Sequence, residues 1–149
     1  MKSDNRKERD HILDVEHLSM HFTTKKRGKT SVVKAVDDVS FYVERGETFG
    51  LVGESGCGKS TTGRSILGLV KPDSGEILYK GQDLTRLSDS EFRPLRRDLQ
   101  MVFQDSYASL NPRLTMEESI AFGQRVHGVS AREASEYARY LLAHVGLEP

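Results

Sequence analysis

The sequence predicts an α/β fold with an antiparallel β flank. Its first third is rich in β-branched residues with alternating apolar positions, which is typical of strands. A short apolar run is then followed by a glycine-rich loop and a helix-compatible stretch, and later segments begin with helix-capping patterns. The 149 residues, 36% of them hydrophobic, are enough for one compact domain.

The first third predicts two strands joined as a hairpin. Apolar residues alternate from Leu13, and a one-residue slip predicts a bulge near Glu16 and His17. The second strand is expected within Val32 to Val43. Between them, residues 25–29 form a basic loop, which we interpret as a solvated hairpin loop rather than a phosphate or membrane contact.

The middle of the sequence predicts strand, loop and helix in that order. Thr48 to Val52 is apolar enough for a buried strand, and Lys59 to Val70 is compatible with a helix. A turn at residues 72–75 then leads to a short strand over Glu76 to Lys80. Alternation over Leu99 to Phe103 predicts another apolar strand.

Three Ser or Thr residues precede a Glu by three positions and so predict helix starts. The pairs are Ser88 with Glu91, Thr115 with Glu118, and Ser130 with Glu133. For the last helix the spacing predicts one buried face and a stop at Gly146. That face comprises Ala134, Tyr137, Leu141 and Val145.

Composition narrows the possible functions. The 22 basic and 22 acidic residues cancel, which argues against a nucleic-acid-binding surface and predicts no nucleic-acid partner. No apolar stretch approaches the roughly 18 residues that cross a bilayer, so we expect a cytoplasmic protein. Residues 1–10 predict a charged, solvated tail, and residues 11–149 a single domain portion. One cysteine, Cys57, excludes an internal disulfide.

The segment Gly53-Glu54-Ser55-Gly56-Cys57-Gly58-Lys59-Ser60 fits the pattern of a phosphate-binding loop. Glycines allow successive backbone N–H groups to converge on closely spaced oxygens, and the following helix adds its positive end. We expect nucleotide contacts throughout the loop and first turn, from Gly53, Glu54, Ser55, Gly56, Cys57, Gly58, Lys59, Ser60, Thr61 and Thr62.

Individual side chains in this segment have separate expected roles. Lys59 is the predicted catalytic cation and would reach the β- and γ-phosphates, while the Ser60 hydroxyl would be a ligand of Mg²⁺. Thr61 and Thr62 would bind the α-phosphate. The side chain of Cys57 is expected to point away from the loop.

Two longer segments resemble one family. Leu51 to Arg64 is similar to the nucleotide-binding loop of ATP-binding cassette (ABC) transporters, which have a P-loop NTPase core. The run from Met101 to Arg113 resembles the glutamine loop of their oligopeptide and dipeptide importer branch, and 36–41 and 73–77 agree with the same family. Ser106 departs from the proline usual in this branch.

The resemblance implies further roles. Phe22 would stack on adenine, and Gln104 would be catalytic, placing its amide near Mg²⁺ and the attacking water. Asp105 to Arg113 would face permease subunits, with Tyr107 and Leu110 as apolar contacts. The histidines are expected to be ordinary surface or strand residues.

The resemblance also implies a function for the complete protein. It would bind and hydrolyse ATP, pair with a second ATP-binding subunit, and power import at the inner face of the cell membrane. Because no signature motif or acidic strand follows Gln104, we interpret the chain as an N-terminal portion that ends at the start of a helical subdomain and is inactive alone. Two alternatives stay open: another phosphate-loop enzyme, such as a kinase or GTPase, or a non-catalytic module that docks on membrane subunits.

Overall fold

The computed structural model describes residues 11–26, 28–104 and 110–147. The chain forms two compact units, Met1–Leu99 and Gln100–Pro149. The predicted tail of residues 1–10 lies outside the described residues. Within the described parts of the chain, no helix is both long enough and apolar enough to cross a membrane.

The first unit is built on a four-stranded antiparallel sheet with the order β2-β1-β3-β4. Its strands are β1 (His11–Lys26), β2 (Lys29–Glu44), β3 (Ser74–Tyr79) and β4 (Gln82–Asp83). The predicted hairpin is confirmed, since β1 and β2 pair along their length and Lys26 lies opposite Lys29.

The predicted bulge in β1 is confirmed. The β1–β2 register shifts between Val15 and Leu18, and the β1–β3 register shifts after Glu16. His17 has φ 51° and the opposing Asp38 has φ 54°. A hydrogen bond of 2.7 Å joins His17 Nδ1 to Asp38 Oδ1 across the irregularity.

The core of this unit lies on one face of the sheet. Val15, Leu18 and Ile77 are its largest fully buried side chains, and Tyr79 and Phe92 pack with them. Because residues two apart in a strand share a face, the alternation read from the sequence selects these strand residues for the core.

Helix α1 (Lys59–Ile66) follows the glycine-rich loop and is four residues shorter than predicted. The C-terminal cap is Leu67, and Gly68 adopts φ 63°. A Cβ on Gly68 would lie 2.7 Å from the Phe92 ring. The helix therefore ends at a left-handed glycine over which an aromatic side chain packs closely.

The prediction of a buried strand over Thr48 to Val52 is wrong. No ladder among the described residues includes this segment, and Val52 is 90% exposed. Phe49 stacks on Phe41 with ring centroids 4.9 Å apart, so the segment has an apolar neighbour without being paired as a strand. A strand needs hydrogen-bond partners on an adjacent strand, and apolar character alone does not supply them.

The predicted strand over Leu99 to Phe103 is likewise not formed. None of the described ladders includes residues 99–103, and Val102 is 94% exposed.

The helix start at Ser88 is confirmed as a capping box. Helix α2 (Asp89–Phe92) runs into a 3₁₀ helix (Arg93–Arg97), and Ser88 exchanges hydrogen bonds with Glu91.

The second unit contains α3 (Met116–Val126) and α4 (Ala131–His144), each beginning at a predicted capping box. Their shared core comprises Ala121, Ala134 and Ala138. The Arg139 guanidinium donates a 3.1 Å hydrogen bond to Glu117 Oε2, which lowers the pKa of that carboxyl.

The predicted buried face of α4 is partly wrong. Ala134 is buried, but Tyr137 is 48% exposed and Val145 is 69% exposed. The buried positions that accompany 134 are 138 and 142. Small side chains at 134 and 138 let the two helices approach closely, which a stripe through Tyr137 would prevent.

Candidate functional site

The glycine-rich loop of residues 53–58 packs against the middle of β2. A Cβ on Gly58 would lie 2.0 Å from the carbonyl oxygen of Ala35, and Gly58 has φ 93°. Gly53 and Gly56 also have positive φ, 156° and 84°. The sequence folds in this way because glycine alone allows both the left-handed backbone and the close approach to β2.

The N-terminus of α1 has no side-chain cap. Its N-cap is Gly58, which has no side chain to accept a hydrogen bond from the first amides of the helix. No acidic residue lies in the first turn. The starts of α2, α3 and α4 are each closed by a hydroxyl and a Glu carboxylate. The first amides of α1 and its positive dipole end therefore remain without such an internal anion, which suits them to a phosphate group.

The Lys59 ammonium folds back over the loop. Its Nζ donates to the carbonyl oxygens of Gly53 at 2.7 Å and Glu54 at 2.6 Å, and lies 3.3 Å from the sulfur of Cys57. These contacts hold a positive charge beside the loop amides. A phosphate oxygen entering the loop can replace either carbonyl as an acceptor, with a stronger charge-assisted bond.

The Cys57 side chain lies across the loop rather than pointing away from it, so that expectation is wrong. A Cβ placed on Gly53 would be 2.6 Å from Cys57 Sγ, and the residue is exposed. The short side chain of Cys57 covers Gly53, and its sulfur also lies 3.3 Å from Lys59 Nζ.

The three hydroxyl residues in the first turn of α1, Ser60, Thr61 and Thr62, have different surroundings. Ser60 is exposed and its role as a Mg²⁺ ligand stays a prediction. Thr62 is only 3% exposed, and its hydroxyl donates to the carbonyl oxygen of Gly58 at 3.1 Å. Thr62 thus fastens the loop to the helix, and its predicted phosphate contact, like that of Thr61, stays a prediction.

Phe22 lies near the end of β1 with 41% of its surface exposed. It pairs with Val33, while the loop packs on Ala35 and on the side chain of Val36. Three residues of strand span about 10 Å. The same stretch of β2 therefore carries both the glycine loop and the strand partner of this exposed aromatic ring.

Gln104 belongs to the second unit, where it is exposed and lies in a bend. Its predicted roles in catalysis and as a Mg²⁺ ligand stay predictions. Residues 105–109, including Ser106 and Tyr107, lie outside the described residues. Leu110 is 40% exposed, consistent with an apolar contact residue.

The described side chains include no group of three or more His, Cys, Asp and Glu residues placed to hold a metal ion. Mg²⁺ commonly binds through substrate phosphates and few protein ligands, so the hydroxyl of Ser60 at the start of α1 is a suitable kind of ligand for it.

Two features of this region have no local signal in the sequence. One is the Ala35 carbonyl, against which Gly58 packs. The other is a contact between Asp73 and His21, the residue before Phe22. Each partner in these contacts is an ordinary residue for its element, and only the folded sheet brings them together.

Comparison with known proteins points to one family. The sequence profile described as ABC transporter matches residues 36–149. The chain is 47% identical over 143 residues to the oligopeptide transport ATP-binding protein AppF of Bacillus subtilis, covering 93% of this chain and 44% of AppF. It is 48% identical over 142 residues to the glutathione import ATP-binding protein GsiA of Pectobacterium atrosepticum, covering 93% of this chain and 23% of GsiA. The chain thus spans less than half the length of these relatives.

A solved structure has the same fold. The dimeric structure of a post-hydrolysis state of the ATP-binding cassette MJ0796, bound to ADP and Pi, matches with a TM-score of 0.75 and 25% identity. The match covers 91% of this chain and 58% of that one. The predicted α/β cassette fold with an antiparallel flank is confirmed.

Proposed function

Because this chain belongs to the ABC transporter family, we propose that it binds Mg²⁺·ATP at the loop of residues 53–60 and is the ATP-binding part of a peptide importer. The observation that carries the proposal is the uncapped start of α1 beside the Lys59 ammonium. Backbone amides, a helix dipole and one cation converge there, which is the chemistry that binds a polyphosphate.

Each end of the nucleotide has a proposed partner in the first unit. The phosphates lie against the loop amides and Lys59, and Ser60 contributes a hydroxyl to Mg²⁺. Phe22 takes the adenine, because it is an exposed aromatic ring on the strand that pairs with the loop's packing surface. When bound, Mg²⁺ neutralises charge between the β- and γ-phosphates.

Peptide import is supported by the names of the relatives, which include oligopeptide transport ATP-binding proteins. We propose permease subunits as partners, contacted through the segment after Gln104, and a second ATP-binding subunit, as in the dimeric neighbour. Gln104 would couple nucleotide state to that contact. The same proposal puts the protein on the cytoplasmic face of the membrane.

Hydrolysis of ATP needs a group that activates the attacking water. We propose that the 149-residue chain by itself binds ATP with negligible turnover, because no apolar strand ending in Asp-Glu, the element that the family resemblance assigns to water activation, follows Gln104 in this sequence. Steady phosphate release that Lys59→Ala abolishes would contradict this part of the proposal and leave the binding proposal standing.

The test of binding is calorimetry with Mg²⁺·ATP on monodisperse protein. We expect Lys59→Ala to weaken binding about 10-fold or more, since hydrogen bonds to charged groups contribute roughly 1.5–3 kcal/mol. Lys71→Ala is the matched control, an exposed lysine beyond the other end of α1, and should leave affinity unchanged. Absence of heat with the unaltered chain at millimolar ATP would overturn the proposal. Preference for GTP over ATP would favour another class of phosphate-loop enzyme.

A further inference from the structure

A single carboxylate oxygen holds His21, the residue that precedes Phe22. The backbone N–H of His21 donates to Asp73 Oδ2 at 2.6 Å, and His21 Nδ1 lies 2.9 Å from the same oxygen. Asp73 is 52 residues further along the chain, in the turn between α1 and β3. Both the main chain and the ring of His21 are thus fixed by one distant side chain.

The turn that carries Asp73 is itself fastened to β1. The backbone N–H of Asp73 donates to the carbonyl oxygen of Ser19 at 2.9 Å. Two residues later, Gly75 approaches β1 so closely that a Cβ there would lie 2.6 Å from the carbonyl oxygen of His17. Asp73 is therefore held from the backbone and does not depend on His21 for its place.

The Asp73–His21 contact lies just beyond the end of the β1–β3 ladder. The β1–β3 ladder runs from Leu13 to Ser19, and β1 continues to Lys26. The register with β2 also shifts between Met20 and His21. The Asp73 carboxylate accepts from the His21 amide just beyond the last β3 partner, so it takes the place of a strand acceptor.

We propose that Asp73 is a positioning residue that acts through His21 to hold Phe22 ready for the base of the bound nucleotide. The inference rests on the proposed function, in which Phe22 contacts adenine. Successive side chains of a strand point to opposite faces. Fixing the amide and ring of His21 therefore fixes the backbone from which the Phe22 ring projects to the other face.

Two ligands distinguish the proposed base contact from the proposed phosphate contacts. Inorganic tripolyphosphate has the phosphates of ATP and lacks the base, so it probes the glycine loop alone. Asp73→Ala should weaken Mg²⁺·ATP binding roughly 5-fold, a fraction of the loss when an aromatic stack is removed entirely. It should leave the affinity for Mg²⁺·tripolyphosphate unchanged.

Three further variants make the test specific. Asp73→Asn keeps an oxygen that accepts from the His21 amide and should retain most of the ATP affinity. Asp14→Ala is the matched control, because Asp14 contacts His11 at 2.6 Å near the other end of β1 and should affect neither ligand. Asp73→Ala added to Phe22→Ala should cause no further loss, since the proposed effect runs through the Phe22 ring.

The outcomes separate this inference from the proposed function. Equal weakening of both ligands by Asp73→Ala, or a further loss in the Phe22→Ala background, would overturn the positioning role, as would unchanged ATP binding. Failure of the unaltered chain to bind either ligand would overturn the proposed function and the inference with it. If circular dichroism shows that Asp73→Ala does not fold, His21→Ala removes the ring contact but keeps the amide bond to Asp73, so it is expected to show a smaller loss that is again selective for ATP, and no loss would overturn the positioning role.

Discussion

Replacing Gly58 by alanine tests whether the close approach of the glycine-rich loop to β2 requires glycine at this position. The new Cβ would lie 2.0 Å from the Ala35 carbonyl oxygen and 3.1 Å from its carbon, so the backbone must shift. Gly56→Ala is the matched control, because Gly56 has a similar φ, 84° against 93°, and nothing lies within 4 Å of its Cβ. Left-handed strain of about 1–2 kcal/mol is common to both variants.

The difference in unfolding free energy between the two variants measures the cost of the steric overlap at residue 58. Overpacking costs typically about 1–3 kcal/mol, so Gly58→Ala should lower the free energy of unfolding by about that much more than Gly56→Ala does. Urea unfolding monitored by circular dichroism measures the two values. In a unit of this size, the extra loss corresponds to a melting temperature lower by roughly 4 °C or more. Equal losses in the two variants would refute the argument that the approach to Ala35 requires glycine.

Two other predictions concern the sheet. The hydrogen bond to Asp38 raises the pKa of His17 above 6.5, so its stabilising contribution is complete below pH 6.5 and is lost as pH rises through the folded value. NMR titration should show this pKa return toward 6.5 in Asp38→Asn, and an unchanged pKa would contradict it. Separately, the amides of Phe49 to Val52 should exchange with deuterium much faster than that of Val15, because they belong to none of the described ladders. Equal protection of these amides and of Val15 at all protein concentrations would contradict this prediction.

The helix starts could be predicted because their determinants are local. At Ser88, Thr115 and Ser130 the hydroxyl and a Glu three residues later satisfy each other's backbone groups. No distant residue takes part, so the pattern alone identifies the N-cap. The packing face of α4 was harder to predict from the sequence, because it depends on how closely α3 approaches. That approach selects Ala138 over Tyr137, and nothing within the helix sequence specifies it.

Strands depend on residues outside the pattern that predicts them. The alternation in β1 and the bulge at His17 were predicted correctly, since β2 follows directly and pairs with β1 as a hairpin. Thr48 to Val52 has equally apolar character, yet no described strand lies beside it. The apolar pattern of a segment shows which side chains it can bury. Its backbone hydrogen bonds require a neighbouring strand, which cannot be identified from the local sequence.

The two ends of the proposed nucleotide site are encoded in different ways. The phosphate end consists mainly of backbone groups, so its signal is a pattern of glycines around Lys59 that can be read directly. The base end consists of a side chain, Phe22, whose neighbour is held by Asp73 from 52 residues away. The phosphate end should therefore be sensitive to a Cβ added at Gly58, where the loop packs against β2. The base end should instead respond to substitutions in a turn that contains no nucleotide-binding pattern, where only the geometry of the folded sheet identifies Asp73.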